Sequence, residues 1–203
     1  MAYDKLAPRE AVEKSVKALE KNGIKTLIVP NKNAAKEKVL ALLPKGAEVM
    51  TMSSVTLEQT GIRDAIEDSP DYKSVRKIFE TMKSESDADA KQKLGAAPHW
   101  AIGSVHAVTE DGKMIIASNT GSQLPAYAYG SEHVILVIGT QKIVKDFDDG
   151  LKRIYEYVLP LESERVKKAY GMSESNVSKL LVINKEVKPD RLTVVFVEEV
   201  LGF

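Results

Sequence analysis

Cysteine is absent from the 203 residues, and tryptophan occurs once. Without a thiol the chain can form no disulfide, offer no cysteine nucleophile and ligate no zinc or iron–sulfur cluster through sulfur. An excess of either charge is missing too, because 29 basic residues balance 29 acidic ones. A binder of duplex DNA or of an anionic bilayer needs Lys and Arg to neutralise phosphates, so the composition argues against a nucleic-acid partner. No apolar run approaches a membrane span, and the opening Met1-Ala2-Tyr3-Asp4-Lys5 lacks an apolar leader core. The expectation is a cytoplasmic protein. The sequon Asn176-Val177-Ser178 therefore stands without the secretory signal that would make it meaningful. Walker, G-x-G-x-x-G and G-x-S-x-G signatures are lacking as well. His99, His106 and His133 do not have the spacing of a helical metal pair, so no metal site is expected.

What is present is a core-forming chain, 43% hydrophobic, with regular alternation of helical and extended signals. Ala11, Val12, Val16 and Leu19 recur at helical spacing between Pro8 and Gly23, and Thr26–Val29 reads as a buried strand. Asn31 or Asn33 caps a second helix, and a strand at Glu48–Met52 follows. This alternation predicts an α/β fold in three layers with a mainly parallel sheet. Thr56 and Gln59 have the spacing of a capping box for a third helix. Residues 71–98 are helical in pattern and heavily charged, a solvated helix pair or excursion. His99–Val108 and Met114–Ser118 read as strands joined through the Asp111-Gly112 turn, and Val134–Gly139 as a strand covered on both faces. Asp146 caps a helix that Pro160 ends, and strands at Leu180–Ile183 and Leu192–Val200 are separated by a turn at Pro189-Asp190. One domain over residues 1–203 is the natural organisation.

Two strand-to-helix junctions carry candidate chemistry. Ser53, Ser54 and Thr56 follow the strand ending near Met52, and ligands of open parallel sheets sit beyond the carboxyl ends of strands. Thr120, Gly121, Ser122 and Gln123 follow Met114–Ser118, where successive N–H groups can converge on an anion. Each loop also has a plain reading, as a helix cap or a connection. Lys142, just past Val134–Gly139, is placed to meet an anion, and Glu110 to act as general base or acyl acceptor if it faces the same crevice. Otherwise both are solvated residues.

The block Ile102–Leu124, with Ala107-Val-Thr-Glu-Asp-Gly112 and Thr120-Gly121, resembles the LUD-domain family, named for lactate utilisation. Val134–Val144, with its Gly-x-x-Lys-Ile-Val ending, and Arg191–Phe203 are similar to the family's later strands. The resemblance implies a fold related to the ribose-phosphate isomerase, glucosamine-phosphate deaminase and CoA-transferase group. It implies a cluster-free subunit, like lactate utilisation protein C, with no intrinsic cofactor, working beside a flavin or iron–sulfur redox partner. Two departures stand out: Gln123 occupies a position often basic in relatives, and Ser118 one that is often Asp. Three functions remain open. They are binding of a small anionic metabolite in organic-acid use, isomerase or acyl/CoA-transferase chemistry through Glu110, and structural docking onto a redox protein.

Overall fold

The computed structural model describes residues 3–83, 85–171 and 173–203; Ser84, in the polar stretch 83–89, lies outside them. In chain order the elements are α1 (Arg9–Lys21), β1 (Lys25–Val29), α2 (Lys32–Leu42), β2 (Glu48–Thr51), α3 (Val55–Thr60), α4 (Ile62–Glu67), β3 (Lys73–Ser74), α5 (Val75–Thr81), α6 (Ala88–Ala96), β4 (Trp100–Gly103), β5 (Ala107–Thr109) and β6 (Met114–Ser118). Then follow β7 (His133–Gly139), β8 (Ile143–Val144), α7 (Phe147–Lys152), α8 (Leu159–Tyr170), β9 (Lys179–Ile183) and β10 (Leu192–Val197).

Six strands form a wholly parallel sheet in the order β1-β10-β7-β4-β2-β3. Side chains alternate between its faces with the two-residue period of a strand. Val134, Leu136 and Ile138 of β7, with Leu192, Val194 and Phe196 of β10, face α1, α5 and a second sheet. Ile135 and Val137, with Val195 and Val197, face α2, α3 and α4. Each buried aliphatic side chain contributes about 1.5–3 kcal/mol, so the apolar centre of β7 and β10 anchors both layers. The fold is α/β with a parallel sheet covered on both faces, as the alternation of elements predicts.

The second sheet was not foreseen. Its order is β8-β5-β6-β9, and β5 and β6 form the antiparallel hairpin expected around Asp111-Gly112. The stretch read as one strand, His99–Val108, is therefore two: β4 belongs to the large sheet and β5 to the small one. Gly112 sits at φ +82, and a Cβ there would lie 2.8 Å from the Ala18 backbone, so the turn packs directly on α1.

Three further readings need correction. β1 is an edge strand rather than a buried one, with Ile28 exposed on its solvent side. Pro160 does not end the helix capped by the Asp146 side chain. A wide turn with i→i+5 geometry, Arg153–Val158, joins α7 to α8, and Pro160 sits in the first turn of α8, where its missing N–H costs little. The charged 71–98 region contains α5 and α6 as a helix pair, and also β3 at the sheet edge; Phe79 and Leu94 pack onto the core.

Candidate functional site

β10, β7, β4 and β2 are four consecutive strands of the sheet, so the segments leaving their carboxyl ends crowd together. Beyond those ends is a cavity of about 780 Å³. Ser53, Ser54 and Thr56 line it after β2, Ser104 and His106 after β4, Lys142 after β7, and Gly202 after β10. Thr120, Gly121, Ser122 and Gln123 line it from the opposite side, at the end of β6 in the small sheet. All eight residues read from the two loops and from the end of β7 thus border one space. Glu110 does not border it. Its carboxylate lies 3.4 Å from Lys14 of α1, at the hairpin turn.

The local bonding differs from what the sequence suggests. Thr56 does not form a capping box with Gln59; it lies inside α3, where its hydroxyl donates to the Leu201 carbonyl at 3.3 Å. Gln59 instead accepts from the Gly202 N–H at 2.7 Å, so the segment after β10 is tied to α3. In the loop after β6, the Gly121 N–H donates to Ser118 Oγ at 2.8 Å and the Ser122 N–H to Thr120 Oγ1 at 3.3 Å. Those amides are consumed within the loop, which therefore presents hydroxyls rather than a nest of free N–H groups. Ser118, the departure noted above, donates to Gln123 Oε1 at 2.9 Å and so holds the other departure in place.

Basic side chains outnumber carboxylates around the cavity. Arg63, Arg76, Lys91, Lys142 and Arg165 line it, against Glu58 and Glu162. Glu58 pairs with Arg63, and Glu162 binds Arg165 through both oxygens at 2.7 and 2.8 Å. Arg76 donates to the Thr51 carbonyl at 2.5 Å and to Ser53 Oγ at 2.6 Å, which fixes its guanidinium against the end of β2. Burial, and then the nearby Arg63 charge, lower the Arg76 pKa. The three arginines were missed because each sits on a charged helix whose sequence looks like a solvated face. Only the topology brings those faces to the strand ends.

The interior end of the cavity is unusual in its charges. Lys142 is buried, and its Nζ contacts Thr56 Oγ1 at 3.1 Å, Ser104 Oγ at 3.2 Å and the Val105 carbonyl at 3.2 Å. Burial, and then the Arg153 charge, hold its pKa well below the ordinary lysine value. Beside it His106 accepts the Ala117 N–H on Nδ1 at 3.0 Å, which leaves the ring hydrogen on Nε2. Burial, then Lys142 and Arg153, push the His106 pKa down to about 3. Arg153, on the wide turn, donates to the His106 carbonyl at 2.5 Å and lies against the rings of Tyr3 and Tyr157. Its Nε and Nη2 have no hydrogen-bond partner, and burial lowers its pKa to about 10. No carboxylate pairs with either Lys142 or Arg153 among the described residues.

At the other end of the sheet, where β4 and β7 begin, His99, Glu132 and His133 bring one ligand atom each within 4.8 Å of one another. His99 Nε2 and Glu132 Oε2 are 2.6 Å apart, and His133 stacks on Trp100. That exposed group is the one place among the described residues where side chains of metal-binding type cluster. Helix length and polarity give no membrane span among those residues either.

The architecture is that of an α/β domain with a ligand-sized cavity at the carboxyl ends of its parallel strands. The model of the LUD domain family matches residues 12–197, and the chain belongs to that family. A DUF162 family protein from Deinococcus radiodurans, with a crystal structure at 1.70 Å resolution, superposes with a TM-score of 0.58 at 12% identity. The match covers 95% of this chain and 99% of that one, and at such low identity it shows a shared fold. No curated protein matches.

Proposed function

We propose that this LUD-domain protein binds a small anionic metabolite at the strand ends, and serves organic-acid use of the lactate type as a cluster-free subunit. The observation that carries the reading is the basic character of the cavity: five basic side chains against two carboxylates, in a chain whose overall charge is zero. Each lining carboxylate is matched to one arginine, and Arg76 stands 3.7 Å from Glu67 outside the lining, which leaves Lys91 and Lys142 as the basic groups without a carboxylate partner among the described residues. Hydroxyls of Ser53, Ser54 and Ser122 supply hydrogen bonds that orient such an anion, while Thr56 and Thr120, whose hydrogens go to the Leu201 carbonyl and to Ser122, hold the loops and Lys142 in place. Without cysteine the chain ligates no iron–sulfur cluster through thiolates. In this reading electron transfer therefore falls to a flavin or iron–sulfur partner.

Thermal unfolding with added L-lactate, phosphate, a sugar phosphate and coenzyme A tests the proposal. At a hundredfold excess over Kd, a binding anion raises Tm by about 5–10 °C. The rise is expected to disappear in Arg76→Leu. A chain indifferent to every one of these anions would instead be a docking subunit whose cavity is unused.

A further inference from the structure

Lys142 is held more rigidly than a lysine that merely attracts anions needs to be. The short turn Thr140–Lys142 leaves β7 of the large sheet, and Ile143 starts β8 of the small one, so both flanks of the lysine are fixed. The Thr56 hydroxyl hydrogen is committed to Leu201, and Val105 offers a carbonyl, so these two partners accept from the amine. Ser104 differs. Its hydroxyl can accept from an ammonium or turn its hydrogen toward the lone pair of a neutral amine. Nζ can therefore lose and regain a proton without leaving any of its three neighbours unsatisfied. The other charged or titratable groups packed around it are Arg153, with its two unpartnered nitrogens, and His106, whose Nδ1 is occupied. Neither offers a counter-charge. Burial beside an unneutralised guanidinium favours the free amine, the form that carries a lone pair.

We propose that Lys142 is an amine nucleophile that condenses with the carbonyl group of an anionic aldehyde or ketone seated in the cavity. This rests on the reading of the cavity as an anion site. The nitrogen lone pair forms a C–N bond to the carbonyl carbon, and a proton passes from nitrogen to the former carbonyl oxygen, giving a carbinolamine. The C–O bond then breaks, the oxygen leaves as water after taking up a second proton, and a protonated imine remains. Ser104 Oγ, 3.2 Å from Nζ, is placed to relay the first proton. Arg76, fixed against the end of β2, is placed to hold the anionic group of the substrate. Arg153 is a positioning residue: it biases the amine toward its neutral form without lining the cavity.

The full chain is incubated with glyoxylate, pyruvate or glyceraldehyde 3-phosphate, reduced with cyanoborohydride, and mapped by peptide mass spectrometry. Phosphate binding is followed in parallel by thermal shift. Trapping is expected at Lys142 at least about tenfold above any other lysine, to be absent in Lys142→Arg, and to persist to lower pH than for surface lysines. Arg153→Met is expected to move the pH profile of trapping upward, a readout that loss of packing alone does not move. The probe that traps best separates a 2-oxo acid from a phosphorylated aldehyde as the natural class. Adducts spread evenly over surface lysines, or none at Lys142 while phosphate still raises Tm, overturn the inference and leave the anion site standing. If neither phosphate nor any carbonyl probe binds, both fall. Should Arg153→Met not fold, adduct mapping on the unaltered chain still decides.

Discussion

Arg191 and Lys142 are both buried basic residues, 5% and 2% exposed, at opposite ends of the same parallel sheet. Arg191 precedes β10 at the amino end. It bonds Glu186 at 2.7 Å, the Ser131 carbonyl at 2.9 Å and the carbonyls of Ala126 and Tyr127 at 3.1 and 3.0 Å. Its charge is neutralised by Glu186, and its donors are spread over the turn that carries Tyr127. Lys142 follows β7 at the carboxyl end, bonds only neutral oxygens and has a second cation behind it. A buried charge costs several kcal/mol to desolvate, and only Arg191 has a counter-charge that offsets this. One end of the sheet uses a cation to hold the chain together. The other keeps a basic group without a counter-charge, where a ligand can complete it.

The contrast is breakable by substitution, and the largest effect is expected at the paired end. Arg191→Met strips Glu186 of its partner, and chemical denaturation should show a loss of about 3–5 kcal/mol. A loss no larger than that of an exposed ion pair would mean that Arg191 is not the structural member of the two. Next comes acid. The His106 pKa of about 3 lies below its unfolded value of 6.5, so the unfolded chain binds the extra proton between those limits. Stability from this group is complete above pH 6.5 and falls as pH drops toward 3. Part of the His106 side chain meets the cavity, which discounts the loss to about 2 kcal/mol at pH 4. His106→Asn retains an acceptor for the Ala117 N–H, and its Tm should fall less steeply with acid than that of the unaltered chain. Parallel pH curves for the two would show that His106 titrates normally and that the cationic interior is not shielded.

Smaller effects sharpen the carboxyl end. Gly202 has φ +62, and a Cβ there would run into Thr56 Oγ1 and come within 3.3 Å of Lys142 Nζ. Gly202→Ala should cost about 1–2 kcal/mol and weaken anion binding as well, measured by denaturation and thermal shift together. Lys142→Met is expected to change the unfolding free energy by under about 1 kcal/mol, because relief of desolvation offsets the lost hydrogen bonds. Destabilisation like that of Arg191→Met would place Lys142 among the structural cations after all.

Much of this was legible in the chain, and the remainder was hidden for identifiable reasons. The alternation of helices with Thr26–Val29, Glu48–Met52 and Val134–Gly139 announced a parallel sheet, and the two hydroxyl loops announced themselves by following apolar strands. That they face each other depends on the strand order and on the small sheet, which no local pattern encodes. β5 and β6 are as apolar as β4 because the small sheet is itself sandwiched, between the large sheet on one side and α7 with the wide turn on the other. Edge position explains β1: its sequence is apolar enough for a central strand, yet only one neighbour pairs with it. Arg63, Arg76 and Arg165 looked like ordinary solvated charges, since helical periodicity cannot say which polar face a cavity will recruit.

The strand order has a consequence for synthesis. Lys25 of β1 finds its partner in Thr193 of β10, and β10 also fills the place beside β7. As the chain leaves the ribosome, β1 stays without a neighbour, and β7 with one flank open, until Val197 has emerged. Contacts so distant along the chain make folding slow and leave unpaired backbone on display in the meantime. Until then only four of the six strands, β3, β2, β4 and β7, have paired, and the segment that completes the sheet is the one that leads straight to Gly202 at the wall of the site.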